Sequence, residues 1–515
     1  MLRAGALYAA AVWALAQGLA QLLPVFNAPN WLTQWLVIAG IIGFPFWLAF
    51  AWFYEFTPSG LKRESEIAPD DSIAQHTGKK FDRWIFAVMA VAIILQVTNQ
   101  FVLHRDATST ANTVDAKAIA ATLAQVPNKS VAVLPLANES GDPKQQYFSD
   151  GLSEELISDL AQINGLKVIG KYSSFKFRDS KDSPAQIGAA LGAAHLIQGS
   201  VRQQGDNLRV MVTLIGAKDG AFVWSHSYDE QLKDVFAIQT KIGQAVASAL
   251  KIQLLGNAIV STDKPPSGNV EAYQSMLQGR ALSRRGTEAG FRQGIALYQQ
   301  ALKLDPNYAY VWGTLSNVWV NLGQVLTGDA QQQAYAQTHV AQDKQQVLAP
   351  DAASTSITHG YLLSQVENDA VGALAEYQRA YARAPNDGTA MSFLAYGLDN
   401  LGQLQPAADL FRKAIATDPL RASWYNSLAF VLAAQGQLDA AEQATRKALA
   451  LQPDFPGLYS ALAGINILRG DAAAAVRDAK QETDPLLGPT IRVAAQQIGR
   501  DRQQADTALR DYIVK

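Results

Sequence analysis

Proline returns at a nearly constant interval through the C-terminal half of this 515-residue chain. Intervals of 44, 35, 34, 34 and 32 residues separate Pro306, Pro350, Pro385, Pro419, Pro453 and Pro485. Each proline follows an apolar stretch with helical spacing, and proline ends a helix because it lacks an amide hydrogen. A period near 34 residues is typical of helix pairs that bury their apolar faces only by stacking on neighbours. The sequence therefore predicts an all-α solenoid of about six helix pairs over residues 269–500.

Small residues recur where paired helices must approach each other closely. They are Ala395, Ala407, Ala414, Ala429, Ala441 and Ala448. The repeats that end at Pro419 and Pro453 resemble the tetratricopeptide repeat (TPR). The repeat that ends at Pro350 fits with roughly ten extra residues, which we expect around Gln324–Gln333, and the repeat that ends at Pro385 fits with one insertion.

The TPR resemblance implies that the first helix of each pair lines a concave groove. In this register the groove carries Tyr310, Asn317, Asn321, Tyr361, Gln365, Tyr396, Asp399, Asn400, Asn426 and Phe430. Asparagine offers a donor and an acceptor to an extended backbone, so this composition indicates a protein or peptide partner. The set contains no Lys or Arg, which disfavours a carboxylate or phosphate ligand. A glycan also suits it, and an ordinary solvated helix face is the alternative.

Three apolar segments mark the first part of the chain, which we interpret as a membrane unit over residues 1–105. They cover about 4–26, 32–53 and 84–103, and such lengths suffice to cross the hydrocarbon core of a bilayer. The first segment also has features of a cleavable signal peptide. A tight turn and a further long segment follow it directly, which favours a retained helix.

The distribution of positive charge predicts how this unit is oriented. The stretch between the second and third segments carries Lys62, Arg63, Lys79, Lys80 and Arg83, whereas the short stretch before it carries neither Lys nor Arg. The positive-inside rule then puts the N-terminus in the cytoplasm and everything after about residue 105 on the other side. For a bacterial inner membrane, that side is the periplasm.

The middle of the chain alternates short apolar runs with amphipathic stretches. A stalk over 106–129 precedes a domain over 130–256, a linker over 257–268 follows, and a tail occupies 501–515. The predicted order is β-α-β-α-β-β-β-α, which indicates a small α/β (α+β) sheet domain. The fold class is therefore multidomain: transmembrane helices, then this sheet domain, then the all-α TPR solenoid.

Several short motifs in this domain resemble the TolB-amino-terminal-like (FlgO-like) domain. They are Val131–Leu136, Tyr147–Leu156, Gln198–Arg202, Trp224 and Tyr228–Asp229. The segment Phe56–Arg63 also resembles part of the membrane unit of such bacterial proteins. Relatives in this group often carry an adenylate cyclase domain or a winged-helix DNA-binding domain ahead of it. The stretch 55–83 is too short for either.

The sequence offers no recognisable catalytic arrangement. The chain lacks cysteine, its six histidines are scattered, and no phosphate-binding Gly-rich loop occurs. An acidic cluster comprises Asp142, Asp150, Glu154, Glu155 and Asp159, which we interpret as the acidic N-terminus of a helix, with Asp150 or Ser153 as its cap. We therefore expect no catalytic residue, no metal and no cofactor, and a protein that is not an enzyme.

These observations favour a membrane-anchored periplasmic scaffold that binds an envelope protein or peptide through its TPR groove. The alternative is a sensory or regulatory subunit that relays a periplasmic ligand signal to a cytoplasmic partner. The expected partners are a protein or peptide and the lipid bilayer. A net charge of −2 gives no reason to expect nucleic acid, and the composition is compatible with a homo-oligomer.

Overall fold

The computed structural model describes residues 54–57, 60–63, 117–252, 264–484 and 487–498. The chain divides into two compact units, Met1–Thr113 and Val114–Lys515. In the first unit, β1 (Tyr54–Thr57) pairs antiparallel with β2 (Gly60–Arg63). The three apolar segments expected to span a membrane and the tail 501–515 lie outside the described residues. Within the described part, no helix has the length and apolarity that a membrane crossing needs.

A mixed sheet forms the centre of the domain in the second unit. Its strands are β3 (Ser130–Val133), β4 (Ala137–Asn138), β5 (Lys167–Ile169), β6 (His195–Gln204), β7 (Asn207–Gly216) and β8 (Phe222–Gln231). The order is β5-β3-β6-β7-β8, with β4 beside β6. Strand β3 pairs in parallel with β5 and β6, whereas β6, β7 and β8 form an antiparallel meander. This is the small mixed sheet that the sequence predicts.

Helices cover both faces of this sheet. They are α1 (Gln146–Ala161), α2 (Lys171–Ser174), α3 (Pro184–Leu191) and α4 (Val235–Ala249). On one face, Leu152 of α1 and Ile242 of α4 join the core with Val212 of β7. On the other face, Leu191 of α3 packs with Leu196 of β6. Residues 117–124 are also helical and contribute Leu123 to that second cluster, so the end of the expected stalk belongs to the domain.

The beginning of α1 differs from the sequence prediction. A 3₁₀ turn at Pro143–Gln145 leads into the helix, and Asp142 caps that turn by accepting a hydrogen bond from the Lys144 amide at 2.9 Å. The helix thus begins at Gln146, so Glu154 and Glu155 lie in its buried middle rather than in its first turn. The interpretation of these glutamates as a solvated acidic helix end is wrong.

Helix pairs make up the rest of the described chain. The helices are α5 (Val270–Ser283), α6 (Glu288–Leu304), α7 (Ala309–Val325), α8 (Gly328–Leu348), α9 (Ala353–Leu362), α10 (Ala370–Arg383), α11 (Gly388–Asn400), α12 (Leu404–Thr417), α13 (Ala422–Ala434), α14 (Leu438–Leu451), α15 (Leu458–Arg469), α16 (Ala472–Ala479) and α17 (Leu487–Gln497). Pairs one to six are α5/α6 through α15/α16, and α17 follows pair six. All six small residues singled out from the sequence are buried.

The two irregular repeats absorb their extra residues inside helices. Pair two has only Leu326 and Thr327 between its helices, because the extra residues lengthen α7 and α8 to 17 and 21 residues. The stretch Gln324–Gln333, where the insertion was expected, therefore forms the end of α7 and the beginning of α8, with Leu326 and Thr327 between them. In pair three, the insertion appears as a π turn at Leu363–Glu367.

One apolar cluster joins the sheet domain to the first helix pairs. The Tyr273 ring on α5 is fully buried and packs edge-on against Phe148 of α1 (centroids 6.3 Å apart) and Phe236 of α4 (5.1 Å). Gly151 of α1 lies against Leu277, with no room for a Cβ. The cluster continues through α6 and α7, so sheet domain and solenoid share a core.

Candidate partner-binding face

The structure places all ten predicted groove residues on first helices or on the π turn that extends α9. Tyr310, Asn317 and Asn321 lie on α7, Tyr361 lies on α9, and Gln365 lies in the π turn. Helix α11 carries Tyr396, Asp399 and Asn400, and α13 carries Asn426 and Phe430. The ten residues therefore lie on the elements expected to line the groove, and their side-chain contacts divide them into two groups.

The first group is used within the chain. The Tyr361 hydroxyl donates to Asn321 Oδ1 at 2.9 Å, which links the first helices of pairs two and three. Tyr396 Oη lies 2.7 Å from Ser427 Oγ and links pairs four and five in the same way. Two further contacts are Arg280 Nη1 to Tyr310 Oη at 3.1 Å and Gln324 Nε2 to Gln365 Oε1 at 3.0 Å. These side chains hold the solenoid together.

The second group flanks the Tyr396–Ser427 contact. Asn400 is exposed, and the Phe430 ring is 55% exposed, which is unusual for a large apolar side chain. Asn426 Oδ1 is buried, and no donor in the described chain reaches it. Burial raises the pKa of Asp399. We call Asp399, Asn400, Asn426 and Phe430 the open face. Asn317 Oδ1 on pair two is likewise buried without a partner among the described residues.

The loop between pairs four and five folds against the sheet domain. Asp418 Oδ1 accepts the Ser173 amide hydrogen at 2.7 Å and also the Ser173 hydroxyl hydrogen. The Leu420 amide donates to Ser173 Oγ at 2.7 Å, and the Gly170 amide donates to Thr417 O at 2.8 Å. We call these contacts the latch. The solenoid thus meets the sheet domain at pair one, again at the end of pair four, and at the end of pair five, where Lys176 Nζ donates to Leu451 O at 2.6 Å.

Arg421 extends the latch with aromatic contacts. Its guanidinium carbon lies 4.2 Å from the Tyr172 ring centroid and 4.3 Å from that of Trp424. Cation–π contacts of this kind add to stability in partly desolvated places. Burial raises the pKa of Asp418, while its hydrogen bonds to Ser173 and the charge of Arg421 oppose that rise.

A cluster of three cations surrounds Glu154 where α1 meets pair one. Glu154 Oε2 lies 3.3 Å from Lys171 Nζ and 3.4 Å from Arg280 Nη2, and Arg284 forms a two-pronged ion pair with both carboxylate oxygens. Burial alone would raise the pKa of Glu154, but the charges of Lys171, Arg280 and Arg284 hold it well below the usual range. Burial also lowers the pKa of Lys171 to about 7, because the attraction of Glu154 does not offset it.

Sequence reasoning missed this cluster, since its members come from α1, α2 and α5. The ten predicted groove residues include no Lys or Arg, but Arg280 donates a hydrogen bond to one of them, Tyr310. The neighbouring Glu155 is also buried and accepts from Gln239 Nε2 at 2.7 Å. The acidic cluster thus belongs to the junction of the two domains. Among the described residues, no three His, Cys, Asp or Glu side chains are grouped to hold a metal ion.

Residues 422–455 match the family described as tetratricopeptide repeat. The chain contains a tetratricopeptide repeat. The match covers the stretch from Ala422 to beyond Pro453, so the prediction from the proline interval is confirmed there. The resemblance of the sheet domain to the TolB-amino-terminal-like domain stays a prediction.

A curated relative corrects one expectation. "Putative adenylate cyclase 3" of Rhizobium meliloti (strain 1021) is 31% identical over 193 residues, which cover 37% of this chain and 33% of that protein. The chain therefore spans about a third of the length of the curated relative it matches. That protein is named as an enzyme, which contradicts the expectation that this chain is not an enzyme.

Solved structures with a similar backbone trace include several repeat proteins. PilW, a type IV pilus biogenesis factor, is 20% identical over 47% of this chain and 99% of its own, with a TM-score of 0.34. YrrB, a TPR protein with an unusual peptide-binding site, is 23% identical over 36% and 87%, with a TM-score of 0.25. Human IFIT1 is 15% identical over 55% and 69%, with a TM-score of 0.41. At these TM-scores the structural similarities do not indicate a shared function.

Proposed function

We propose that this protein is a membrane-anchored scaffold that binds an envelope protein or peptide through the open face on pairs four and five. The observation that carries the proposal is the buried Asn426 Oδ1, which has no donor in the described chain. A buried acceptor without a partner costs free energy, and rotation of the Asn426 amide toward a bound backbone N–H would recover it. The exposed Phe430 ring lies one helical turn further along the same helix.

The chemistry of the open face suits an extended, uncharged peptide segment. Asn426 and Asn400 can each accept and donate, which matches the alternating groups of an extended backbone. Phe430 offers contact area for an apolar side chain of the partner. Asp399 is the acidic member, and the face itself contains no Lys or Arg, so a C-terminal carboxylate is a poor ligand for it.

The location of the scaffold is part of the proposal. The three apolar segments and the Lys/Arg distribution between them support an inner-membrane anchor with a cytoplasmic N-terminus and the solenoid in the periplasm. A reporter enzyme that is active only in the periplasm, fused after Lys264, should be active. A silent fusion, with the same fusion protein detected at normal abundance, would contradict this topology.

A photo-crosslinking experiment tests the open face itself. A benzophenone amino acid at Phe430 should capture a partner in cells, and Asn400→Ala with Asn426→Ala should abolish the capture. The control position is Gln443, whose exposed side-chain amide lies on α14, the second helix of pair five. A crosslinker at Gln443 should capture nothing, and Gln443→Ala should leave capture at Phe430 intact. Capture that survives the double substitution would exclude the open face.

The similarity to a protein named as an adenylate cyclase supports a second candidate function. In this candidate, the sheet domain and solenoid form a regulatory unit that senses a ligand and acts on a cytoplasmic partner. The two candidates differ in where the output partner binds. A crosslinker in the stretch 64–83 should capture a cytoplasmic protein only if the unit is regulatory. Capture from Phe430 alone favours the scaffold.

A further inference from the structure

The outer edge of β8 is an unusual feature of the sheet domain. In the part of the chain that the structure describes, β8 pairs with β7 on one side and with no strand on the other. The strand is ten residues long, and its Phe222 and Val223 side chains are 77% and 43% exposed. Ser225, His226 and Ser227 are exposed as well. A long edge of this kind presents a row of backbone donors and acceptors to other chains.

The strand lacks the devices that usually block edge pairing. From Phe222 to Tyr228 it contains no Pro, no Lys and no acidic residue. Its register with β7 is regular from Asn207 opposite Gln231 to Leu214 opposite Trp224, and the one irregularity lies at the very start of the strand. The backbone of β8 is therefore straight enough to accept another strand along most of its length.

We propose that β8 pairs antiparallel with β8 of a second copy of this chain, around a two-fold axis at His226. When two copies of a strand pair antiparallel around a two-fold axis perpendicular to the sheet, each residue lies opposite a residue whose side chain is on the same face. Two identical strands can therefore pair in only a few registers. The axis at His226 sets Trp224 opposite Tyr228 of the second copy, twice. Aromatic cross-strand pairs are among those that stabilise sheets.

Side-chain order on β8 supports this register. Within one chain the Trp224 and His226 rings are stacked with centroids 6.2 Å apart, and His226 and Tyr228 meet edge-on at 4.6 Å. The proposed pairing continues this aromatic row into the second copy. At the end of the strand, Arg209 pairs with Asp229, and Lys241 Nζ lies 3.2 Å from Glu230 Oε1. These acidic side chains are already neutralised, so they do not repel the second copy.

The absence of cysteine from the whole sequence permits a clean test. His226→Cys would place one thiol directly opposite its own copy, where Cβ atoms lie about 5 Å apart and a disulfide needs little adjustment. The control is Lys218→Cys in the exposed turn before β8, beyond Phe222, which is itself four residues or about 13 Å from the axis. In the full chain purified in mild detergent, mild oxidation should link most of the His226→Cys protein into dimers and leave Lys218→Cys monomeric.

A second variant tests the pairing without a crosslink. Ser227→Lys sets a charge opposite Ser225 of the second copy, where no carboxylate faces it, and should halve the protein mass measured by light scattering; Ser225→Lys replaces it if Ser227→Lys does not fold. Equal crosslinking at both cysteine positions, or a mass that neither lysine changes, would overturn the proposal. A mixed disulfide between His226→Cys and a different protein would also overturn it, because the edge would then serve another partner.

Discussion

Ser173 and Asp418 are joined across 245 residues of sequence: the Ser173 amide and hydroxyl both donate to the same Asp418 oxygen, with the amide at 2.7 Å. Both residues are almost completely buried. This contact closes the solenoid against the sheet domain, so pairs two and three lie between two points of attachment. The predictions that follow concern that closure, the second junction at Glu154 and the face that is left open.

Asp418→Ala should open the latch. It leaves the buried Ser173 N–H without an acceptor, which costs about 1–3 kcal/mol. Amide hydrogen exchange over residues 170–176 and 417–421 should then speed up, while exchange in β6 and β7 stays slow. The matched control is Asp409→Ala, which removes only exposed contacts with Arg412 and Gln405. Unchanged exchange in the Asp418 variant would show that the latch is not a stabilising contact.

Gly170→Ala should open the same latch by steric conflict. A Cβ at Gly170 would lie 2.6 Å from Asp418 Cγ, so the Asp418 side chain or its loop has to shift. The control is Gly464→Ala in α15, where a Cβ meets nothing within 4 Å and alanine favours the helix. Combined with Asp418→Ala, Gly170→Ala should add little further exchange, because both act on one contact. Additive effects would indicate separate causes.

Glu154→Gln should destabilise the junction between α1 and pair one. The change leaves Lys171, Arg280 and Arg284 close together without their shared carboxylate, and breaking a buried ion pair costs about 3–5 kcal/mol. Chemical denaturation should reveal the loss. Glu139→Gln, which removes an exposed pair with Arg202, should cost less than about 1 kcal/mol. Similar losses in the two variants would contradict a structural role for the Glu154 cluster.

The free energy of unfolding should rise as the pH increases above neutrality, because the pKa of Lys171 is lower in the folded chain than in the unfolded chain. The folded pKa of Lys171, about 7, lies below the ordinary value of 10.5, so between these values the unfolded chain binds a proton that the folded chain does not. The free energy of unfolding therefore increases with pH in that window. Lys171→Met should remove this part of the rise, whereas Lys241→Met on the exposed surface should leave it. Identical pH profiles for wild type and Lys171→Met would refute the assignment.

Tyr361→Phe should separate stability from binding. It removes the hydrogen bond to Asn321 that links pairs two and three, at a cost of about 1 kcal/mol. Thermal unfolding should move down, and capture of a partner at Phe430 should be unchanged. If capture is lost while the fold persists, the face used for binding extends beyond pairs four and five.

Local patterns in the sequence predicted most of the elements. Short apolar runs between amphipathic stretches predicted the order of strands and helices in the sheet domain, and the prolines marked the helix pairs. These features are visible because each depends on neighbours within a few residues. The single insertion in pair three was also predicted, although the π turn that absorbs it was not.

The junctions could not be predicted in the same way. Ser173 and Asp418 each look like an ordinary loop residue, and nothing nearby in sequence indicates that they meet. Glu154 appeared to be a solvated residue because α1 was expected to begin at Asp150, one turn later than it does. For Asn321, Tyr361 and Tyr396, composition indicated a ligand, whereas their hydrogen bonds serve the contacts between neighbouring pairs.

The shared core has a consequence for how such a protein can evolve. A gene fragment that encodes the solenoid alone would leave Tyr273, Met276 and Leu277 without the cover that α1 and α4 give them. Free-standing repeat arrays avoid this problem with a polar terminal helix. Here the sheet domain serves as that terminal cap, so recombination that separates the two would expose these apolar side chains to water.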